Sequence, residues 1–300
     1  DGALVANALD LAGYPDLARW FYRFCRNTLT RAGYFLHKYN PDGSPASSWH
    51  PWIIHGREQL PIQEDETALV LWALWRHYWR YRDIEFVRPL WSELIRPAAD
   101  FMMEYFDESL GLCKPSYDLW EERYGIHAFT VGAVYGGLKA ARSFALCFGD
   151  RERADAYLRV SEQLRSGAER HLYCPQLGRF VRRITVGTSG DIEIDPVVDS
   201  SLYGLFRFGM FSPADPRIES TMRTVEQKLW VKTRVGGIAR YENDPYHRVV
   251  EGDQAVPGNP WFVCTLWLAD YLIAKAQTLE QLKHALPLLE WVAGHAMDSG

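Results

Sequence analysis

The sequence predicts an all-α fold, an (α/α)6 barrel or six-hairpin toroid, and three observations carry that prediction. Apolar residues recur at helical spacing over about ten segments; extended stretches are scarce; long loops rich in aromatic and charged residues return before every second helix. A chain of 300 residues, 47% hydrophobic and 24% charged, is long enough to bury such a core.

Taken in order, periodicity and caps place helices near 3–12, 16–30, 65–81, 85–106, 127–148, 150–172, 199–209, 216–230, 260–277 and 279–298. Gly13 and Pro15 part the first two, and Gly149 with Asp150 joins a later pair. Trp72, Trp75 and Trp79 share one face of the third helix and read as core. Before the ninth, Asn259 is the expected N-cap and Pro260 the first helical residue. Residues 178–194 alone read as convincingly extended, a short hairpin between helices. The long loops are the chain start and residues 40–64, 113–126, 185–198 and 236–259, and the helices they precede begin roughly sixty residues apart. Helical hairpins of this kind can close into a ring with their long loops gathered at one end. Ten helices make five hairpins, so the first and last helices of a six-hairpin toroid are expected to lie outside this segment. With Asp1 in place of a Met, residues 1–300 read as a single barrel domain cut from a longer chain.

Composition excludes several classes of partner. A net charge of -5 without a Lys/Arg run offers no basic face for nucleic acid. No stretch approaches the roughly eighteen continuous apolar residues of a membrane span. The five cysteines lack C-x-x-C spacing, which signals neither a zinc site nor a disulfide framework and favours a reducing compartment, so a cytoplasmic location is expected. Nucleotide loops, H-E-x-x-H and G-x-S-x-G are absent, so no cofactor or metal is implied, and His171 with Cys174 reads as structural.

The chemistry concentrates in three loops. Residues 40–64 carry Trp49 and Trp52 and lead into Glu64, Asp65 and Glu66, acids that the first turn of a helix favours through its dipole. The stretch "DLWEE", residues 118–122, sets Asp118, Glu121 and Glu122 around Trp120. These acids read either as caps of the following helix or as chemistry, since apposed carboxylates and burial against an indole raise proton affinity as a general acid requires. Adjacent side chains diverge, so the two glutamates are not themselves the facing carboxylate pair of a glycosidase. The third loop carries Arg240, Tyr241, Glu242, Asp244, Glu251, Asp253 and Trp261. Arg240 offers a planar fork of donors for vicinal hydroxyls or a carboxylate, or else forms a salt bridge. Asp1, Asp195 and Asp199 carry less local signal.

"LPIQEDETALVLWAL", "YDLWEERYGIHAFT" and "GGIARYENDPY" followed by "GNPWFVCTLWLADYL" resemble, in order and over essentially the whole chain, the glucoamylase-type enzymes of glycoside hydrolase family 15 in their prokaryotic branch. The resemblance implies an (α/α)6 barrel catalytic domain, and an inverting, exo-acting hydrolase that releases glucose from the non-reducing ends of α-glucans or maltooligosaccharides. It implies Glu121 as general acid, Glu122 and Trp120 at the sugar, Asp1 as the surviving half of an Arg-Asp pair that binds the terminal glucose, and Arg240 on sugar hydroxyls beside Trp261. The general base is expected beyond Gly300, so this segment alone is expected to be inactive or nearly so, and an N-terminal β-sandwich is expected upstream of Asp1. Trehalase and dextran- or isomaltose-type exo-glucosidase activity share the fold and the acid, and a non-catalytic glucan-binding barrel is the reading from another class.

Overall fold

The structure, a computed structural model, describes residues 1–54, 56–187, 189–248 and 256–297. It resolves into two compact, mainly helical units, Asp1–Arg170 and His171–Gly300.

In the first unit, helices α1 (Gly2–Ala12) and α2 (Pro15–Thr28) are parted by Gly13 at φ 89, a left-handed conformation that glycine adopts without steric cost. Helix α3 (Glu64–Tyr81) packs on α6 (Ala128–Cys147), and α6 packs on α7 (Arg151–Gly167). Every residue of α6 from Ala128 to Leu138 is buried, as an inner helix requires. A Cβ at Gly137 would stand 2.9 Å from the Ala68 carbonyl oxygen, so the missing side chain is what lets α3 and α6 approach. Helix α7 buries only the stripe Ala154, Tyr157, Ser161, Leu164 and Gly167 and turns charged residues outward. This alternation of a buried helix with an amphipathic one is what the hairpin pattern predicts.

The helix predicted over 85–106 is interrupted: α4 (Ile84–Leu90) passes through a π-helical turn, Trp91–Ile95, into α5 (Arg96–Glu104). Pro89 and Pro97 withdraw N–H donors on either side of that turn, and the backbone widens between them. On α3, Trp72 is buried and Trp75 meets Phe144 edge-on at 4.9 Å, as core residues do. Trp79 departs from that expectation: it is 60% exposed, with the Arg82 guanidinium 3.6 Å from its ring centre.

In the second unit, Arg183–Val186 pairs antiparallel with Ile192–Asp195, the hairpin predicted between helices. The helix predicted over 199–209 is a 3-10 turn, Ser200–Tyr203, continued by the single turn of α8 (Gly204–Arg207). Helix α9 (Pro216–Leu229) starts where Asp215 accepts the Arg217 N–H, with Pro216 in the first turn. Helix α10 (Phe262–Lys275) begins two residues after Pro260, because the Trp261 N–H is bound by the Ile238 carbonyl and residues 260–261 stay extended. Asn259 therefore does not cap it; its amide donates to the carbonyls of Tyr246 and His247. The last predicted helix is two, α11 (Leu279–Lys283) and α12 (Leu286–Gly294), with Pro287 in the first turn of the second. Among the described residues no helix is long and apolar enough to cross a membrane.

Candidate active site

The adjacent glutamates stand on a β-hairpin that the sequence pattern did not reveal. Ser116–Tyr117 pairs antiparallel with Tyr124–His127, Ser116 opposite Gly125 and Tyr117 opposite Tyr124, and residues 118–123 form the tip. Helix α6 starts only after the second strand, with His127 at its N-cap position, so the capping alternative for Asp118, Glu121 and Glu122 does not hold.

Asp118 closes the tip. Its Oδ1 accepts the backbone N–H groups of Glu122 at 2.8 Å and Arg123 at 3.0 Å, and its carbonyl accepts from the Glu121 N–H at 2.8 Å and from Gln63 Nε2. Burial raises the proton affinity of this carboxyl, while the two N–H donors and the Arg123 guanidinium oppose the rise. The turn leaves Glu121 at φ 64, a left-handed conformation costing about 1–3 kcal/mol for a residue with a side chain. Glu122 pairs with Arg123 at 2.8 Å.

Glu121 remains 38% exposed at its side chain, and its Oε1 lies 3.2 Å from Nε2 of His37, an imidazole only 3% exposed. His37 Nδ1 lies 2.9 Å from Ser48 Oγ, and that hydroxyl accepts the His50 backbone N–H at 3.1 Å. Trp49 meets the His37 ring edge-on at 4.7 Å, and His50 lies 4.3 Å from it. His50 in turn stacks on Tyr117, rings 3.9 Å apart and 7° from parallel, which ties the long loop to the hairpin. Burial, and secondarily His37, lowers the His50 pKa to about 4, so His50 is neutral at physiological pH. His37, Ser48 and His50 were missed from sequence; two histidines in an aromatic loop were the available signal, and nothing in their spacing links them to Glu121.

A second acidic group sits at the start of α3. Glu64 and Asp65 are buried, at 0% and 3% exposure, so the first-turn position is as expected but the solvent is not there. Burial pushes Glu64 well above the usual carboxylate range, opposed by the Cys113 thiol and reinforced by Asp65. Asp65 is pushed up to about 6 by burial, with the Thr130 hydroxyl donating to it at 3.0 Å in opposition. Glu66 is raised by burial and then by Asp65, and Glu121 adds to the rise. Trp120, Glu121 and Glu122 share the hairpin tip, whereas Asp1 is the exposed residue that precedes α1.

The second unit holds Arg240 and Trp261 together. Arg240 is buried, and its Nε and Nη2 donate to Oδ2 and Oδ1 of Asp244, each at 2.7 Å. The guanidinium carbon is 4.8 Å from the Tyr246 ring centre, 5.2 Å from that of Trp261 and 5.3 Å from that of Tyr241. Asp195 accepts from Arg182 at 2.9 Å, and Asp199 caps the 3-10 turn by accepting the Ser201 N–H at 2.8 Å. Glu251 and Asp253 lie outside the described residues. Among the described residues no group of three or more His, Cys, Asp or Glu is arranged to hold a metal ion.

Comparison with known proteins adds the following. The model of the family described as Glycosyl hydrolases family 15 matches residues 55–296. An uncharacterized glycosyl hydrolase of Methanocaldococcus jannaschii is 28% identical over 308 residues, covering 99% of this chain and 44% of the relative. A glucoamylase of a Clostridium species is 27% identical over 265 residues, covering 81% of this chain and 33% of the relative. The chain therefore spans less than half the length of these curated relatives. Among solved structures, a bacterial glucoamylase complexed with acarbose superposes with a TM-score of 0.75 at 22% identity, covering 96% of this chain and 41% of the other. A glycosidase variant in complex with glucose gives 0.74 at 21% identity, covering 99% and 73%. These similarities carry the fold, a predominantly helical (α/α) fold as the sequence predicts.

Proposed function

The chain belongs to glycosyl hydrolases family 15, and on that premise we propose that the full-length protein is an inverting, exo-acting α-glucoside hydrolase releasing glucose from the non-reducing ends of α-glucans or maltooligosaccharides. One observation carries the reading: a carboxylate, Glu121, held in a left-handed conformation at a hairpin tip, partly open to solvent and backed by a buried imidazole. Such a group is rigid enough to aim and accessible enough to meet a sugar.

In this reading Glu121 donates its proton to the glycosidic oxygen as the C1–O bond breaks, and a water on the opposite ring face adds to C1, giving its proton to a second carboxylate about 6.5–9.5 Å from the first. Attack from the opposite face inverts the anomeric centre. Glu122, Trp120 and Asp1 contact the sugars, and Asp1 holds the terminal glucose. Arg240 binds sugar hydroxyls, its orientation fixed by Asp244 and by the rings of Tyr241, Tyr246 and Trp261.

The test is a panel of maltose, isomaltose and trehalose assayed on the full-length protein. Maltose as the best substrate supports the reading, whereas isomaltose or trehalose in that place corrects the linkage. Glucan binding without release of glucose from any of them would falsify it.

A further inference from the structure

The environment of Glu121 includes a residue without an assigned role. His37 lies on the loop after α2, its side chain is 3% exposed, and its Nε2 is the polar atom 3.2 Å from Glu121 Oε1. An exposed ion pair of a carboxylate with a mobile side chain contributes little. This imidazole is neither exposed nor mobile: Trp49 contacts its edge, His50 lies against it, and His50 is itself stacked on Tyr117 of the hairpin.

The hydrogen-bond polarity follows from the partners. An ionised carboxylate can only accept, so His37 Nε2, 3.2 Å from Glu121 Oε1, is the donor, and Nδ1 accepts from the Ser48 hydroxyl 2.9 Å away. With Nδ1 accepting, the Nε2 hydrogen points at Glu121 Oε1. Occupied in this way, Oε1 is an acceptor, and the carboxyl proton is confined to Oε2.

We propose that His37, aligned by Ser48, is the positioning residue of the acid: it fixes the rotation of the Glu121 carboxyl and selects Oε2 as the oxygen that delivers the proton. The inference rests on Glu121 being the general acid. It predicts that the effect of His37 scales with the need for leaving-group protonation.

The experiment uses the full-length protein, the disaccharide of the panel that it cleaves fastest, and α-glucosyl fluoride, whose leaving group departs as an anion without a proton. His37→Phe keeps a ring between Trp49 and His50 but has no donor, whereas His37→Gln places an amide N–H near the position of Nε2. For His37→Phe, kcat on the disaccharide is expected to fall about tenfold to a hundredfold with KM within about twofold, and fluoride hydrolysis to stay within about threefold of wild type. His37→Gln is expected to recover the disaccharide rate to within about fivefold. A His37→Phe protein that cleaves the disaccharide at the wild-type rate, or loses both substrates equally, overturns the proposal; so does a folded His37→Gln protein that is as slow as His37→Phe. Wild-type protein inert on both substrates overturns the hydrolase reading itself, a different result from an active enzyme indifferent to position 37.

Discussion

Two acidic triplets lie in the same unit of this protein and meet opposite fates. Glu64, Asp65 and Glu66 enter the first turn of an inner helix, where water is excluded and the carboxyls hold their protons more tightly than usual. Asp118, Glu121 and Glu122 surround a hairpin tip, where one acid organises the backbone, one pairs with arginine, and one is left partly open against an imidazole. The difference lies in the backbone. A helix start aligns its acids with a packed interface, whereas a turn with a left-handed residue displays its acid at the surface while holding it still. A cluster of carboxylates is therefore not by itself a site; what matters is which of them keeps access to a ligand.

The contrast breaks if the two triplets respond alike to isosteric substitution. Glu121→Gln is expected to lower kcat on the best disaccharide by at least about a hundredfold in the full-length protein, and Glu64→Gln by less than about threefold. Equal losses would place the acid chemistry in the wrong triplet.

The buried triplet is expected to govern stability against pH. The folded-state pKa of Asp65 is raised from 3.8 to about 6, so its contribution is fully present below the unfolded value and is lost as pH rises through the folded one. Between about pH 4 and 6 this group removes about 3 kcal/mol, and Glu64 and Glu66 shift in the same direction. Thermal melts of Asp65→Asn across that range are expected to show a shallower decline of Tm than wild type; an unchanged slope contradicts the assignment.

Asp118→Ala should uncouple display from stability in the other triplet. It strips the acceptor from two backbone N–H groups, with an expected loss of about 1–3 kcal/mol by denaturant titration, and the loosened tip should lower kcat as well. The smallest effect on stability is expected for Glu121→Gly, which loses activity while its stability stays level or rises by about 1 kcal/mol, because glycine adopts φ 64 without strain. A marked drop in Tm for that variant would mean the glutamate serves the fold.

Much of the architecture was legible because it depends on local signals. Apolar periodicity set α3, α6 and α9 and the start of α7 to within a residue or two, and Gly13 and Asp150 marked boundaries that the structure keeps. Pro89 and Pro97 were visible within a strong helical pattern, but whether two prolines end a helix or widen one turn is decided by packing. The hairpin beneath Glu121 was not legible, since one of its strands is only two residues long and offers no alternation to read. For the same reason the acids of "DLWEE" looked like helix caps, although Asp118 is a turn residue by chemistry. His37 was invisible for a deeper cause: its contact with Glu121 is made by tertiary folding alone, and no spacing rule connects a loop to a distant tip.

The account stands or falls on Glu121 as a proton donor aimed by its surroundings. The most direct measurement is the ratio of kcat on the best disaccharide to kcat on α-glucosyl fluoride for Glu121→Gln and wild-type full-length protein. The account predicts that the substitution collapses this ratio, by about a hundredfold or more, because only the sugar leaving group requires the proton. A ratio equal to that of wild type, with both rates retained or both lost together, would contradict it.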